Sequence, residues 1–385
     1  MIYFDNAATT ALCKEAFEEM VKCLESEYGN PGALYKKGRD AKILVETARE
    51  NIARTLNAGN KEIFFTAGGT EADNWAIKGI AERAGVLQPC KKKGKKDHIV
   101  VSEIEHKAVL ESCRWLESKG YRVSYVKPDR TGRITAENVI KHINESTFLI
   151  SVMMVNNELG TIQPVREIAE VAGNNGILFH TDAVAAYGHI PIDVKELGID
   201  IMSTSAHKFN GPKGVGFIYV DEKVDIDPFI HGGMQERGRR GGTENVPAIV
   251  GMAAAALRCN INAEEALKVR RKLEDYFVLR LKDSSCRLST GDRDKERVLP
   301  GLFGIYVPWM EKEEFVVRMA MEDICVSAGA ACASSYYADS HVLKAVGLSA
   351  RELSGTVRIS LDENNTEEEI DIFFEIMEKI RRNRI

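Results

Sequence analysis

The chain has 385 residues, 44% of them hydrophobic and 28% charged, which suits a soluble globular protein with a sizeable core and room for two domains. Its net charge of −5 gives no basic field to draw it to nucleic acid or to an anionic membrane. No apolar run approaches the ~20 residues of a membrane span. The start Met1-Ile2-Tyr3-Phe4-Asp5-Asn6 has neither the basic nor the apolar region of a secretory signal, so the cytoplasm is the expected location.

Short apolar strands alternate with helical patterns through the first two thirds. Strands are predicted at 62–66, 98–102, 148–153, 177–180, 200–204 and 216–220. A helix with Ala72, Ala76, Ile80 and Ala84 on one stripe follows the first of them. The run from Lys91 to Lys96 reads as a solvated loop, with a patch for an anionic partner as the weaker alternative. Another helix is predicted to take Pro164 as its first helical residue and to end near Asn175-Gly176. This alternation implies an α/β domain with a mostly parallel sheet, in which ligands bind beyond the carboxyl ends of the strands.

After about residue 260 the pattern changes. A charged helix over roughly 263–283 precedes a strand at 302–306, a stretch of small residues from Ser327 to Ser334, and a strand at 357–361. A final helix opens on the capping box Thr366-Glu367-Glu368-Glu369 and carries Ile370, Phe373, Phe374 and Met377 on one face. This half reads as a smaller α+β domain. The expected division is 12–258 for the large domain, with 1–11 and 259–385 forming the small one.

The chemistry concentrates at predicted strand ends. In Ser205-Ala206-His207-Lys208, Lys208 can hold an aldehyde cofactor as a Schiff base, for which pyridoxal phosphate (PLP) is the common choice, and Ser205 and His207 can bind its phosphate. Gly68-Gly69-Thr70-Glu71 opens a helix, whose free N–H groups suit a phosphate. Read structurally, it is a tight turn with Thr70 as helix cap. Asp182 ends the strand before Lys208 and can pair with a pyridine nitrogen, or cap a helix. His106 can stack on a flat ring and move protons, or serve as a hydrogen-bonding group of the fold. Asn157 can bond a phenolic oxygen.

Eight cysteines stand at 13, 23, 90, 113, 259, 286, 325 and 332 with no Cys-x-x-Cys pair, so no metal site is expected and most read as buried hydrophobes. Cys332 differs, because Ser327-Ala328-Gly329-Ala330-Ala331-Cys332-Ala333-Ser334 reads as a mobile loop.

These residues, in this order, resemble the NifS/IscS-type cysteine desulfurases, PLP enzymes of fold type I. The resemblance runs from Asp5-Asn6-Ala7-Ala8-Thr9-Thr10 and Gly29-Asn30-Pro31 through Thr66 to Glu71, Glu105-His106-Lys107, Val155-Asn156-Asn157-Glu158 and Ser205 to Lys208. It continues in His231-Gly232-Gly233, Arg240-Gly241-Gly242-Thr243, Ser327 to Cys332, and Val357 to Leu361, and Cys332 to Leu343 resembles that group's long catalytic loop. It implies a large PLP-binding α/β domain, with a mostly parallel seven-stranded sheet flanked by helices, beside a smaller α+β domain. It also implies a cytoplasmic homodimer that takes L-cysteine to L-alanine. The sulfur would rest as a persulfide on Cys332 and pass to an acceptor protein, an iron–sulfur scaffold or a tRNA-thiolation protein, without direct nucleic-acid or membrane contact.

By position, the resemblance makes Lys208 the cofactor lysine and proton carrier, Asp182 the partner of the ring nitrogen and His106 the stacking residue. Gly69, Thr70, Ser205 and His207 hold the phosphate, joined by Thr243 from a second subunit. Arg358, with Asn157, takes the substrate carboxylate. Cys332 is the nucleophile, with His106 as the expected acceptor of its proton. Where the family usually has Gln, this chain has Ala185. The competing readings are a selenocysteine lyase or another enzyme of the same fold, and a non-catalytic sulfur-trafficking partner.

Overall fold

The computed structural model describes residues 1–84, 96–291, 293–329 and 339–383. Cys332, Cys90 and most of the lysine run, 91–95, lie outside the described residues. In chain order the first elements are β1 (Ile2–Tyr3), α1 (Lys14–Ser26), α2 (Lys36–Arg54), β2 (Ile63–Thr66) and α3 (Gly69–Arg83). Then come β3 (His98–Ser102), α4 (Lys107–Glu117), β4 (Arg122–Val126), α5 (Ala136–Ile140), β5 (Thr147–Ser151), α6 (Val165–Asn174) and β6 (Leu178–Asp182). β7 (Ile201–Ser203), β8 (Gly216–Val220) and α7 (Val246–Lys282) follow. The last part holds β9 (Arg287–Leu288), β10 (Leu302–Tyr306), α8 (Lys312–Met321), β11 (Ile324–Cys325), α9 (His341–Ala345), α10 (Ala350–Gly355), β12 (Thr356–Ser360) and α11 (Glu367–Arg382).

Seven strands form one sheet in the order β2-β8-β7-β6-β5-β3-β4. β8 alone runs against its neighbours, antiparallel to both β2 and β7, and the other pairings are parallel. The carboxyl ends of β2, β3, β5, β6 and β7 therefore share one edge. Both faces are covered. Ile77, Ile80, Val109 and Leu116 of α3 and α4 pack on one side, and α2, α6 and the first half of α7 pack on the other. Burial on both faces explains why these strands read as continuous apolar runs.

A separate apolar core joins Ile2 and Phe4 to Phe277, Phe303, Ile359, Phe373 and Met377. It covers a three-stranded antiparallel sheet in the order β12-β10-β9. The capping box of α11 forms as expected: Thr366 Oγ1 accepts the Glu369 N–H at 3.2 Å, and Glu369 Oε2 accepts the Thr366 N–H at 3.2 Å.

Two expectations are corrected and one unforeseen strand is added. The charged helix placed at 263–283 is the second half of α7, which starts at Val246 and runs 37 residues. Its first half is apolar on several sides because it sits between α1, α2 and the sheet, so it shows no amphipathic period. That half is also apolar and long enough for a membrane span, but Val246, Ile249, Met252 and Ala256 are core residues here. Pro164 precedes α6 as its cap rather than its first residue. β4 lies at the sheet edge, and its mixed exposure hid it from a search for buried runs.

Candidate active site

The shared strand edge opens on a cavity. Its lining includes Gly69, Thr70, His106, Asn157, Asp182, Ser205, His207, Lys208 and Arg358, so one cavity gathers residues read from sites far apart in sequence. Asp182 ends β6, the others except Arg358 lie on segments that follow β2, β3, β5 and β7, and Arg358 lies within β12 of the small sheet.

At one end, Gly68 turns the chain into α3 with φ 149°, outside the range of ordinary L side chains. A side chain at Gly69 would meet Val184 Cγ2 at 2.6 Å and close the space above the helix start. Gly68, not Thr70, is therefore the cap of α3, and Thr70 stands in the first turn beside the helix N–H groups. Ser205, His207 and Lys213 line the same cleft. Burial, with the charges of Lys208 and Lys213, lowers His207 to about 4, so its ring is neutral and can donate.

At the other end sit buried carboxylates. Asp182 Oδ1 accepts the Val184 N–H at 2.8 Å, a side-chain turn rather than a helix cap. Burial raises its pKa, opposed by His106, the Val184 N–H and Lys208. Asp73, one turn beyond Thr70 on α3, lies deeper, and its Oδ1 is buried with no hydrogen-bond partner among the described residues. Burial and then the neighbouring Asp182 push Asp73 well above the ordinary carboxylate range. Behind them Glu105 accepts bonds from Ser102 Oγ and, at 2.7 Å, the Met153 N–H. Burial still lifts Glu105 to about 8.

His106 Nδ1 accepts the Ala108 N–H at 3.1 Å and so caps α4. Accepting a proton on Nδ1 costs the capping bond, which tells against His106 as the acceptor of a thiol proton.

Lys208 ends a tight turn, Ala206–Lys208, directly after β7. Its Nζ donates to the carbonyls of Ala7 and Ala8 at 2.7 and 2.8 Å, so the segment after β1 closes over the lysine. Arg358 is 4% exposed. Its Nη2 meets Asp5 Oδ1 at 2.7 Å, its Nη1 donates to the Asn157 carbonyl at 3.1 Å, and its Nε is buried without a hydrogen-bond partner among the described residues. A guanidinium held this way keeps donor capacity for a carboxylate.

Of the other expected residues, Thr243 is not in this cavity. Cys332 lies outside the described residues, but the chain on both sides is pinned beside the site. Ser327 pairs with Arg358 through two backbone bonds of 2.7 and 3.2 Å, while Ser340 Oγ donates to Glu158 and His341 Nε2 meets the Glu105 carbonyl. Thr243 is exposed and lines a neighbouring cleft with Ala67 and Gly214.

The residues fit PLP. A buried carboxylate, an amine, a glycine-lined helix start with neutral donors and a half-satisfied guanidinium match a cationic ring nitrogen, an aldehyde, a phosphate and a substrate carboxylate in turn. Sequence reasoning missed Asp73, whose three-residue spacing from Thr70 puts it on the same helix face. It also missed His189 and Arg270, which line the cavity and carry no motif.

The family description "Aminotransferase class-V" matches residues 2–373. The cysteine desulfurase IscS of Methanosarcina thermophila is 42% identical over 379 residues, covering 98% of this chain and 91% of that protein. The IscS of Dictyoglomus turgidum is 40% identical over 380 residues, covering 98% and 94%. A solved NifS-like protein superposes with a TM-score of 0.91 at 39% identity, covering 99% of both chains. The structure of SspA in complex with cysteine gives 0.81 at 37%, covering 95% of this chain and 100% of that one. The chain belongs to the class-V aminotransferase family and, within it, to the IscS/NifS-type cysteine desulfurases.

Proposed function

We propose that the chain takes sulfur from L-cysteine, forming L-alanine and a persulfide on Cys332 that is passed to a sulfur-acceptor protein. One observation carries this reading: Lys208 after β7, Asp182 at the end of β6 and Arg358 within β12 face one cavity of a chain in this family. When bound there, PLP supplies an aldehyde that takes up amines and a ring that accepts the electron pair of a broken Cα bond.

The protein's own part follows from the geometry. Asp182 holds the proton on the ring nitrogen. Gly69, Thr70, Ser205 and His207 grip the phosphate. Arg358 binds the substrate carboxylate through a planar fork already aimed by Asp5. Lys208 removes the α-proton at Nζ and returns it to the product. Cys332 attacks the substrate sulfur. The balance closes without an added oxidant: L-cysteine and a thiol become L-alanine and a persulfide.

The chain acts as a homodimer in this reading, with Thr243 reaching the phosphate of the second subunit. Supporting this, Thr243 is exposed, and so are Phe17, Leu24, Tyr28, Leu34 and Ile43 near the start of the chain. The division at 258/259, the cytoplasmic location and the identity of the acceptor, an iron–sulfur scaffold or a tRNA-thiolation protein, belong to the same proposal. The two separate apolar cores support the first, although α7 runs across that boundary.

The test is product analysis with PLP-loaded protein, L-cysteine and a reducing thiol. Alanine and sulfide should appear in equal amounts. Pyruvate and ammonia in place of alanine would overturn the reading.

A further inference from the structure

Where the family usually has Gln, Ala185 offers the cavity only a methyl group, while His189 and Arg270 also line it. We propose that His189, held by Arg270, is a positioning residue that fixes the peptide of Lys208 and so the reach of its amine.

The argument is hydrogen-bond logic. Arginine only donates. Arg270 Nη1 lies 2.8 Å from His189 Nδ1, so that nitrogen accepts, and Arg270 Nη2 donates to the His189 carbonyl at 3.3 Å. His189 must then carry its proton on Nε2, which stands 2.8 Å from the Lys208 carbonyl and donates to it. The guanidinium thus selects the one tautomer that can hold Lys208. Arg270 is itself fixed: it is 2% exposed, its Nε donates to the Ala266 carbonyl at 3.2 Å, and Glu363 lies 3.8 Å away. Burial, then Arg270, lowers His189 to about 4, which agrees with a neutral ring.

The position held matters. Lys208 is followed by Phe209 and then by Asn210, whose φ of 63° is left-handed and uncommon for a residue other than glycine. A backbone turning this sharply beside a reactive lysine benefits from a fixed carbonyl. With Nζ on the carbonyls of Ala7 and Ala8 and its own carbonyl on His189, Lys208 is held at both ends. The relay starts in α7, which runs on into the small core, so the lysine is tied to an element outside the strand edge.

The proposal rests on PLP binding at Lys208, and the experiment separates the two. PLP is titrated by absorbance into the cofactor-free wild type, His189→Leu, His189→Gln and Arg270→Met, with melting temperatures measured in parallel. His189→Leu should weaken PLP binding roughly tenfold, the loss of one hydrogen bond. His189→Gln, which keeps an N–H long enough to reach the carbonyl, should recover most of it. Arg270→Met should match His189→Leu, and the double variant should be no worse than either. Wild-type affinity in His189→Leu, equal loss in the Leu and Gln variants, or additive losses would overturn the relay. If a leucine or methionine variant fails to fold, His189→Gln against His189→Asn decides, since the shorter amide should lose affinity and equal affinity in both contradicts the proposal. Failure of the wild type to carry reducible PLP on Lys208 would instead sink the functional reading.

Discussion

Arg358 Nη2 lies 2.7 Å from Asp5 Oδ1, so a residue near the start of the chain aims the guanidinium of a strand more than 350 residues later. The contact joins the segment that also covers Lys208 to the small sheet, and it explains why Asp5-Asn6-Ala7-Ala8 belongs to the site although it bears no catalytic group. Arg358→Ala should raise KM for L-cysteine by roughly 10- to 100-fold, the worth of a charged hydrogen bond, and leave PLP absorbance intact. Asp5→Asn should give a smaller rise in the same constant. Steady-state kinetics check both, and a kcat loss without a KM change would assign Arg358 another role.

The two carboxylates near the ring site should respond differently to removal of charge. Burial and then Asp182 push Asp73 well above the ordinary carboxylate range, which favours its neutral form, and Asp73→Asn should leave the cofactor spectrum and activity within a fewfold of wild type. Asp182→Asn removes the partner of the ring nitrogen and should cost at least roughly 100-fold in kcat, as loss of a charge-assisted contact in a buried site does. Spectra and rates measured side by side decide. Equal effects would mean that the two share the role.

Glu105 gives a stability prediction with a definite sign. Burial raises it to about 8 despite two donors, so between the ordinary carboxylate range and pH 8 the folded state holds a proton that the unfolded state has lost. Stability then falls as pH rises through that window, by roughly 1 kcal/mol per pH unit. Glu105→Gln removes this dependence. The melting temperature of the variant relative to wild type should therefore climb between pH 5 and pH 8. A constant difference would show that Glu105 titrates normally.

Ala185→Gln restores an amide where the family usually has one. A hydrogen bond to a charged acceptor contributes roughly 1.5–3 kcal/mol, so PLP should bind more tightly by about tenfold or more, with the products unchanged. Equilibrium titration checks it. Unchanged affinity would mean that Asn157 or a water already meets that oxygen.

Much of this site is readable in the sequence because a parallel sheet gathers its carboxyl ends on one edge, so polar residues placed just after apolar runs converge in space. Asp182, His106 and Lys208 were legible in that way, and the motif order added Arg358. The residues that hold them were not. Asp73, His189 and Arg270 act through burial and through partners such as Asp182, Lys208 and Glu363 that lie nearby only after folding. The first half of α7 was hidden for a related reason, because a helix buried on several sides loses the period that announces it. Within the fold, Pro164 and β4 show the smaller errors expected at element ends and sheet edges.

The central claim is that Cys332 receives the sulfur, and its most direct test is a single turnover followed by peptide mass analysis. PLP-loaded protein treated with one equivalent of L-cysteine, without a reductant, should yield one alanine per site and one added sulfur atom on the Cys332 peptide. Cys332→Ser should keep the cofactor colour and form no such adduct. Added sulfur on Cys325 instead, or free sulfide released at wild-type rate by Cys332→Ser, would contradict the account.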